Sequence, residues 1–388
     1  MVPSMVAPER YQLLGPLGTG GMAEVLLAKT RGPNGFERLL AVKRILPERA
    51  KDPDAVRMLV DEARNAAGLS HHRIVQVLDI ELRDGVVLYA MEYLHGQTLE
   101  ALLGKARRLP LDASLAICIA VADGLHHAHE RSSPIIHRDV APSNVMVLYD
   151  GNIKLIDFGI AKAANNLSNT VFGTFKGRLG YSSPEQVRCE AVDRRTDVYS
   201  LAVMLYELTT GRPAFSAHDE PHMLDLMEKA RITPPRELDA QYPAELEAIV
   251  MKGLARDRNA RYATAAAMQL DLEAFARRAD LSLTDLTISR LMAKLFATEL
   301  EPWHRARNGG MTLEDHVIQA TLRTLPPSTH DSIEERATQP RVARRRRRRR
   351  NRMVIGIAVV VALFAAAYLF TRWVLVDPPS LKAASPSG

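Results

Sequence analysis

An α+β chain with a membrane-length apolar segment near its C-terminal end is predicted, on three observations. The runs Leu26-Leu27-Ala28 and Leu40-Ala41-Val42-Lys43 flank glycine-rich and polar stretches and read as strands. Met58, Leu59, Ala63, Ala66 and Ala67 recur at helical spacing and read as one face of a helix that also carries Glu62. Met353 through Thr371 is uncharged and mostly apolar over 19 residues. At 1.5 Å per residue it reaches about 28 Å, close to the hydrocarbon thickness of a bilayer.

The order of elements then carries the chemistry. Leu17-Gly18-Thr19-Gly20-Gly21-Met22-Ala23-Glu24-Val25 precedes the first of those strands. Glycines there let backbone N–H groups lie against phosphates where a side chain would intrude. The second strand carries one inward lysine, Lys43. Further on come His137-Arg138-Asp139 through Asn144, then Asp157-Phe158-Gly159, then Ser183-Pro184-Glu185. A carboxylate, an amide and a second carboxylate in this order suit a reaction that needs positioning and charge neutralisation more than covalent help.

This ladder of motifs resembles the eukaryotic-type protein kinase family from about Tyr11 to about Phe275, and is most similar to bacterial serine/threonine kinases in Gly18 to Met22 and Ser183 to Gln186. The resemblance implies a two-lobed protein kinase fold over 11–278, with a β-rich N-lobe over 11–94 and a helical C-lobe over 95–278. It also implies ATP and Mg²⁺ as cofactors and Ser/Thr hydroxyls of proteins as acceptors, the chain itself included. Lys43 would contact the phosphates and pair with Glu62. Asp139 would orient the incoming hydroxyl, and Asn144 and Asp157 would hold the metal. The glycine run from Leu17 to Val25 would cover the nucleotide, and Glu92 and Leu94 within Met91-Glu92-Tyr93-Leu94 would meet adenine through their backbone. Asp197 would support the catalytic loop, and Arg261 would pair with Glu185.

Three positions depart from the family pattern. Ala23 replaces the third glycine. Ala141 stands where serine/threonine kinases usually have lysine, and Arg178 where threonine is usual. Loss of one charge and gain of another suggests that Arg178 supplies the missing cation. The same Ala141 favours a rival reading, a catalytically weak or silent scaffold, while Lys43, Glu62, Asp139, Asn144 and Asp157 oppose it. A tyrosine-directed kinase is a further alternative, because Val140 to Asn144 shows neither that lysine nor an arginine typical of tyrosine kinases. Arg138 suggests control by phosphorylation at Ser168, Thr170 or Thr174.

Composition narrows the partners. The chain has 388 residues and a net charge of +6, but Arg341, Arg344 to Arg350 and Arg352 supply nine charges, which leaves the rest at −3. No nucleic-acid surface is expected on the folded part. Arginines directly before an apolar span suit the cytoplasmic side of a membrane and its anionic lipids. The expectation is a single-pass protein of the cell (inner) membrane with its catalytic domain in the cytoplasm. Residues 353–375 would form the transmembrane helix, with a short extracytoplasmic tail over 376–388. Ala358, Ala362 and Ala366 offer a small-residue face for pairing with a second copy.

Residues 279–320 read as a helical extension, because Ile288, Leu291, Met292, Leu295 and Phe296 follow helical spacing, and core packing is the plainer use of that face. Residues 321–352 read as a flexible basic juxtamembrane linker carrying Thr324, Ser328, Thr329, Ser332 and Thr338 as candidate autophosphorylation sites. His126-His127-Ala128-His129 offers one helix-compatible pair and is read as structural, not as a zinc site. Cys118 and Cys189 are expected to be reduced thiols.

Overall fold

The computed structural model describes residues 11–31, 37–83, 86–158, 179–217 and 219–324. An antiparallel five-stranded sheet comes first: β1 (Tyr11–Thr19), β2 (Ala23–Arg31), β3 (Glu37–Ile45), β4 (Val77–Arg83) and β5 (Val86–Glu92), in the order β1-β2-β3-β5-β4. β1 slips register at Leu13/Gly15 and again at Pro16/Gly18, so the strand bends as it enters the glycine run. The chain turns back there through a hydrogen bond from Gly20 N–H to Ala23 C=O at 2.8 Å.

Helix α1 (Pro53–Ala67) is specified at its start by Asp52, whose carboxylate accepts from the Asp54 and Ala55 N–H groups, and by proline in the first turn. Its buried face is Ala55, Met58, Leu59, Glu62, Ala63 and Ala66. Glu62 is the one acid in that apolar stripe, and burial there requires a partner.

The second lobe is built on α3 (Leu111–His129) and α5 (Arg194–Thr210), reached through β6 (Gly96–Thr98) and α2 (Leu99–Lys105). Both long helices bury residues around most of their circumference, as central helices of a large core do. Between them lie β7 (Val145–Leu148), β8 (Ile153–Leu155) and α4 (Pro184–Val187). The packing is completed by α6 (Glu220–Glu228), α7 (Pro235–Leu238), α8 (Ala244–Gly253) and α9 (Ala265–Arg278). Cys118 is buried and Cys189 exposed, and both are free thiols.

Three more helices follow: α10 (Asp285–Leu295), α11 (Ala297–Asn308) and α12 (Leu313–Thr324). Ile288, Met292 and Phe296 enter the main core, so the periodic face packs inward. The start of α10 lies so close to the β7–β8 turn that a Cβ on Gly151 would fall on the Asp285 carbonyl oxygen, and Gly151 has φ +100. Trp303 of α11 meets His95 edge-on, with ring centroids 6.2 Å apart. On α12, Val317 is buried with Leu14, Leu27 and Leu39 of the five-stranded sheet, and Leu313 and Ile318 pack beside it. The extension therefore touches both lobes. It also runs to Thr324, past residue 321 where the linker is expected to begin.

Contacts divide the chain into one unit over 1–322 and a second over 323–388. Among the described residues no helix is long and apolar enough to cross a membrane. The stretch expected to do so, 353–375, lies outside the described residues, as do residues 325–352 of the flanking linker, the tail and Ala358, Ala362 and Ala366.

Replacing Val317 with Asp places a charge in the apolar contact between α12 and the sheet. The expected result is undocking of α12, with loss of about 2 kcal/mol of stability. Limited proteolysis should then cut between α11 and α12 in the variant while leaving the parent intact.

Candidate active site

Lys43 is the meeting point of the two lobes. Pairing of β3 with β5 sets Lys43 opposite Tyr89, and α1 packs across the same sheet. The ammonium donates to Glu62 Oε1 and to Asp157 Oδ1, each at 2.7 Å. The Tyr89 hydroxyl donates to the same Glu62 oxygen at 2.6 Å. Burial acts to lower the pKa of Lys43, but the neighbouring oxygens of Asp157, Tyr89 and Glu62 outweigh it and hold the ammonium well above its ordinary value. Burial pushes the Glu62 carboxyl up, and Lys43 opposes that. Lys43 is therefore a fixed cation whose position depends on α1 staying docked.

A fully buried carboxylate organises the loop that carries Asp139. Asp197 lies in the first turn of α5, where free amides favour negative charge. Its Oδ2 accepts from His137 N–H at 2.8 Å and contacts His129 Nε2 at 2.7 Å, and its Oδ1 accepts from Arg138 N–H at 2.8 Å. Arg138 is thereby held at φ 63, a left-handed conformation that a non-glycine residue adopts only under such restraint. The loop that follows projects Asp139. Asn144 Nδ2 donates both to the Asp139 carbonyl at 2.7 Å and to its carboxylate at 3.0 Å. Both contacts are made through the Nδ2 side of the Asn144 amide.

His137 joins this loop to Asp157. Its Nδ1 faces the Asp139 N–H at 3.3 Å, so Nε2–H is the donor to the Ile156 carbonyl at 3.2 Å. Burial holds this imidazole below its ordinary pKa. Its ring packs on the fully buried Phe158, centroids 4.6 Å apart, and Asp157 next to it takes φ 55. Gly159, Arg178, Ser168, Thr170 and Thr174 lie outside the described residues.

The glycine run is an exposed turn. A Cβ on Gly18 or Gly21 would meet nothing within 4 Å, and neither glycine has a φ that demands one. Leu17 at the same edge stays 44% exposed although apolar. Met22 and Glu24 have structural uses: the Met22 carbonyl accepts from Leu46 N–H at 3.0 Å, and Glu24 pairs with Arg44 at 2.8 Å. Thr19 and Val25 are held in the β1–β2 register opposite Glu24 and Gly18. Ala23 is buried, as a small residue at this turn must be.

At the joint between lobes, Glu92 accepts from Gln76 N–H at 2.8 Å and pairs with Lys154 of β8 at 2.6 Å. Its side chain thus fastens the joint. The Leu94 backbone groups have no backbone partner among the described residues. Asn144 and Asp157 offer hard oxygen donors of the kind Mg²⁺ takes. Ala141 is 1% exposed and starts the short turn Pro142–Asn144.

These features match known proteins. The protein kinase domain family matches residues 11–272. This chain belongs to that family. A tyrosine-protein kinase of Myxococcus xanthus, MasK, is 42% identical over 285 residues, covering 71% of this chain and 44% of that protein. The serine/threonine-protein kinase PknB of Mycolicibacterium smegmatis is 37% identical over 295 residues, 74% of this chain and 46% of PknB. The chain therefore spans less than half the length of either relative. The crystal structure of the Mycobacterium tuberculosis PknI kinase domain superposes with a TM-score of 0.53 at 28% identity, covering 71% of this chain and 99% of that one.

Some parts of the kinase site carried little sequence signal. Tyr89 is one residue of a strand until register sets it opposite Lys43. Gln186, which caps α4 together with Ser183, also donates to the Arg138 carbonyl at 2.8 Å. His129 of the histidine run is committed to Asp197.

Glu185 and Arg261 form a buried bidentate pair at 2.7 and 2.9 Å, with Thr196 adding a bond at 2.8 Å. Burial alone would raise the Glu185 pKa, but the hydrogen bonds and charge of Arg261 prevail and bring it down to about 2, from 4.5. A carboxyl depressed on folding stabilises the fold fully above about pH 4.5 and loses that contribution as pH falls toward 2. Arg261→Ala should cost about 3–5 kcal/mol. Denaturant titrations at pH 7 and pH 3 should show a smaller gap between parent and variant at the lower pH.

Proposed function

We propose that this chain is a membrane-anchored serine/threonine protein kinase that transfers the γ-phosphoryl group of ATP to protein hydroxyls, its own included. The observation that carries the reading is Lys43 held at 2.7 Å from both Glu62 and Asp157 while Asn144 fixes Asp139 across the same cleft. In protein kinases the lysine–glutamate pair and the metal-holding aspartate must both be in place for transfer. Lys43 would hold the α- and β-phosphates, Asp139 would orient the acceptor hydroxyl, and Asn144 and Asp157 would hold Mg²⁺. Bound Mg²⁺ supplies charge neutralisation between the phosphates. Gly18, Gly20 and Gly21 would let backbone amides approach the nucleotide, with Leu17 against the base and the Glu92 and Leu94 backbone at its edge.

Arg178 would restore the cation that Ala141 omits. Arg138 Nε is buried and has no hydrogen-bond partner among the described residues, which supports a role in receiving a phosphate on Ser168, Thr170 or Thr174. Arg178→Thr should lower turnover by about 10²-fold if the guanidinium serves the transferring phosphate. Unchanged turnover would remove that role.

A second reading has one specific observation behind it. The 42% identical Myxococcus relative is named a tyrosine-protein kinase, and Ala141 lacks the lysine usual in serine/threonine enzymes. Incubating the full chain with Mg-ATP and analysing the phosphoamino acids separates the two. Label on serine and threonine, falling about 10²-fold or more in Asp139→Asn, is the expected outcome. Predominant phosphotyrosine would turn the assignment to tyrosine, and no label on folded protein would leave a scaffold.

Anchoring rests on the uncharged stretch Met353 to Thr371 directly after the arginine run, and it gives a cytoplasmic catalytic domain on the inner membrane. The full chain should sediment with membranes and resist salt extraction, and deletion of 353–375 should release it.

A further inference from the structure

The loop after α1 crosses α3 at close range. A Cβ on Gly124 of α3 would lie 3.2 Å from the Arg73 carbonyl, and Arg73 is in turn fixed by its carbonyl accepting from Leu155 N–H at 2.8 Å. That contact brings His71 and His72 of the loop against Asp123, the residue beside Gly124. Both imidazole Nε2 atoms stand 3.7 Å from Asp123 Oδ2. These distances are too long for hydrogen bonds. The three donor atoms all lie within 4.8 Å of one another.

His127, one helical turn beyond Asp123, packs its ring nearly flat on His71, with centroids 4.6 Å apart and planes 17° from parallel. Its Nε2 is buried and has no hydrogen-bond partner among the described residues. Three imidazoles and one carboxylate thus crowd together at ion-pair distance with no hydrogen bond among these four residues, an arrangement that a bound cation would tighten.

We propose that His71, His72 and Asp123 bind one divalent transition-metal ion of the Zn²⁺ type, with His127 backing the His71 ring. Two imidazole nitrogens and a carboxylate oxygen are a borderline-soft donor set that favours Zn²⁺ over Mg²⁺ or Ca²⁺. A tetrahedral shell at about 2.0–2.1 Å per ligand draws the donors closer than they now stand, with water at the fourth position. The His72 side chain is 63% exposed and has room to swing in. Metal on His71 Nε2 leaves the proton on Nδ1, so the 3.3 Å contact from Arg73 N–H to that atom opens on loading. The site ties the loop that ends α1 to α3, and α1 carries Glu62. Occupancy therefore fixes the pivot on which the Lys43–Glu62 pair depends.

This site differs from the helical histidine run read as structural in the sequence. His129 is spent on Asp197, and the donors come instead from two separate elements.

The test is calorimetric titration of the purified, chelator-treated full chain with Zn²⁺ alone, beside His72→Ala, Asp123→Asn and His222→Ala. His72 is exposed, so its removal leaves the fold intact, and His222 is an exposed histidine on α6. The expected result is one Zn²⁺ equivalent bound in the parent and in His222→Ala, weakened about tenfold or more in His72→Ala and Asp123→Asn. Co²⁺ should give a tetrahedral visible spectrum that is lost in the same two variants. Exchange of the Arg73 amide should rise on loading. The proposal is overturned if the parent binds no stoichiometric Zn²⁺ at 10–100 μM, about the range of a useful site, or if His72→Ala binds like the parent.

Discussion

The carboxylate of Asp197 is the fixed point from which the loop carrying Asp139 is hung. It is fully buried, and a buried carboxylate without donors is among the most expensive groups a protein can hold. Three donors meet that demand: the His137 and Arg138 amides and His129. Two of them are backbone groups, so the charge dictates main-chain geometry directly. Arg138 adopts its left-handed conformation as a result, and Asp139 emerges in the position that Asn144 then secures. The helices that carry Asp197 and His129 are the two most deeply buried of the lobe, which makes the support stiff.

The sheet side works by a different balance. Lys43, Glu62 and Asp157 come from three elements and are held by ion pairs, not by a backbone frame. Separating any partner strands a charge in a partly buried site, so the three arrive or leave together. One lobe therefore presents a rigid acid, and the other a cation whose placement follows α1. The Glu92–Lys154 pair fastens the joint between them.

Much of this was legible in the residues. The strand carrying Lys43 and the helix carrying Glu62 follow from spacing, the resemblance to protein kinases grouped Asp139, Asn144 and Asp157 with them, and the structure joins Lys43 to Glu62 and Asp157 and Asn144 to Asp139. What was not legible depends on register and on long-range packing. Tyr89 acquires its role only because β3 and β5 pair as they do. Met22 and Glu24 stand in the glycine run, yet their groups serve the sheet, which pattern alone does not separate from ligand contact. Within the histidine run, read as structural, helical spacing groups His126 with His129, whereas in space His129 is committed to Asp197 and His127 stacks on His71. The docking of α12 also left no local signal, since Leu14, Leu27 and Leu39 that hold it lie far away in sequence.

That last contact bears on how the lobes can move. The extension is attached at both ends, through Gly151 and Ser289 on the helical lobe and through Val317 on the sheet. Opening the cleft must either stretch the passage past Trp303 and His95 or lift α12 from the sheet. Burying a side chain such as Val317 is worth about 1.5–3 kcal/mol. Conformational equilibria between open and closed forms are set by a few kcal/mol. The docking of one helix is therefore large enough to shift the balance, yet small enough for a partner or a modification to overcome. Rigidity around Asp197 and compliance around α12 are thus separated in space, and the cleft that holds Lys43 lies between them.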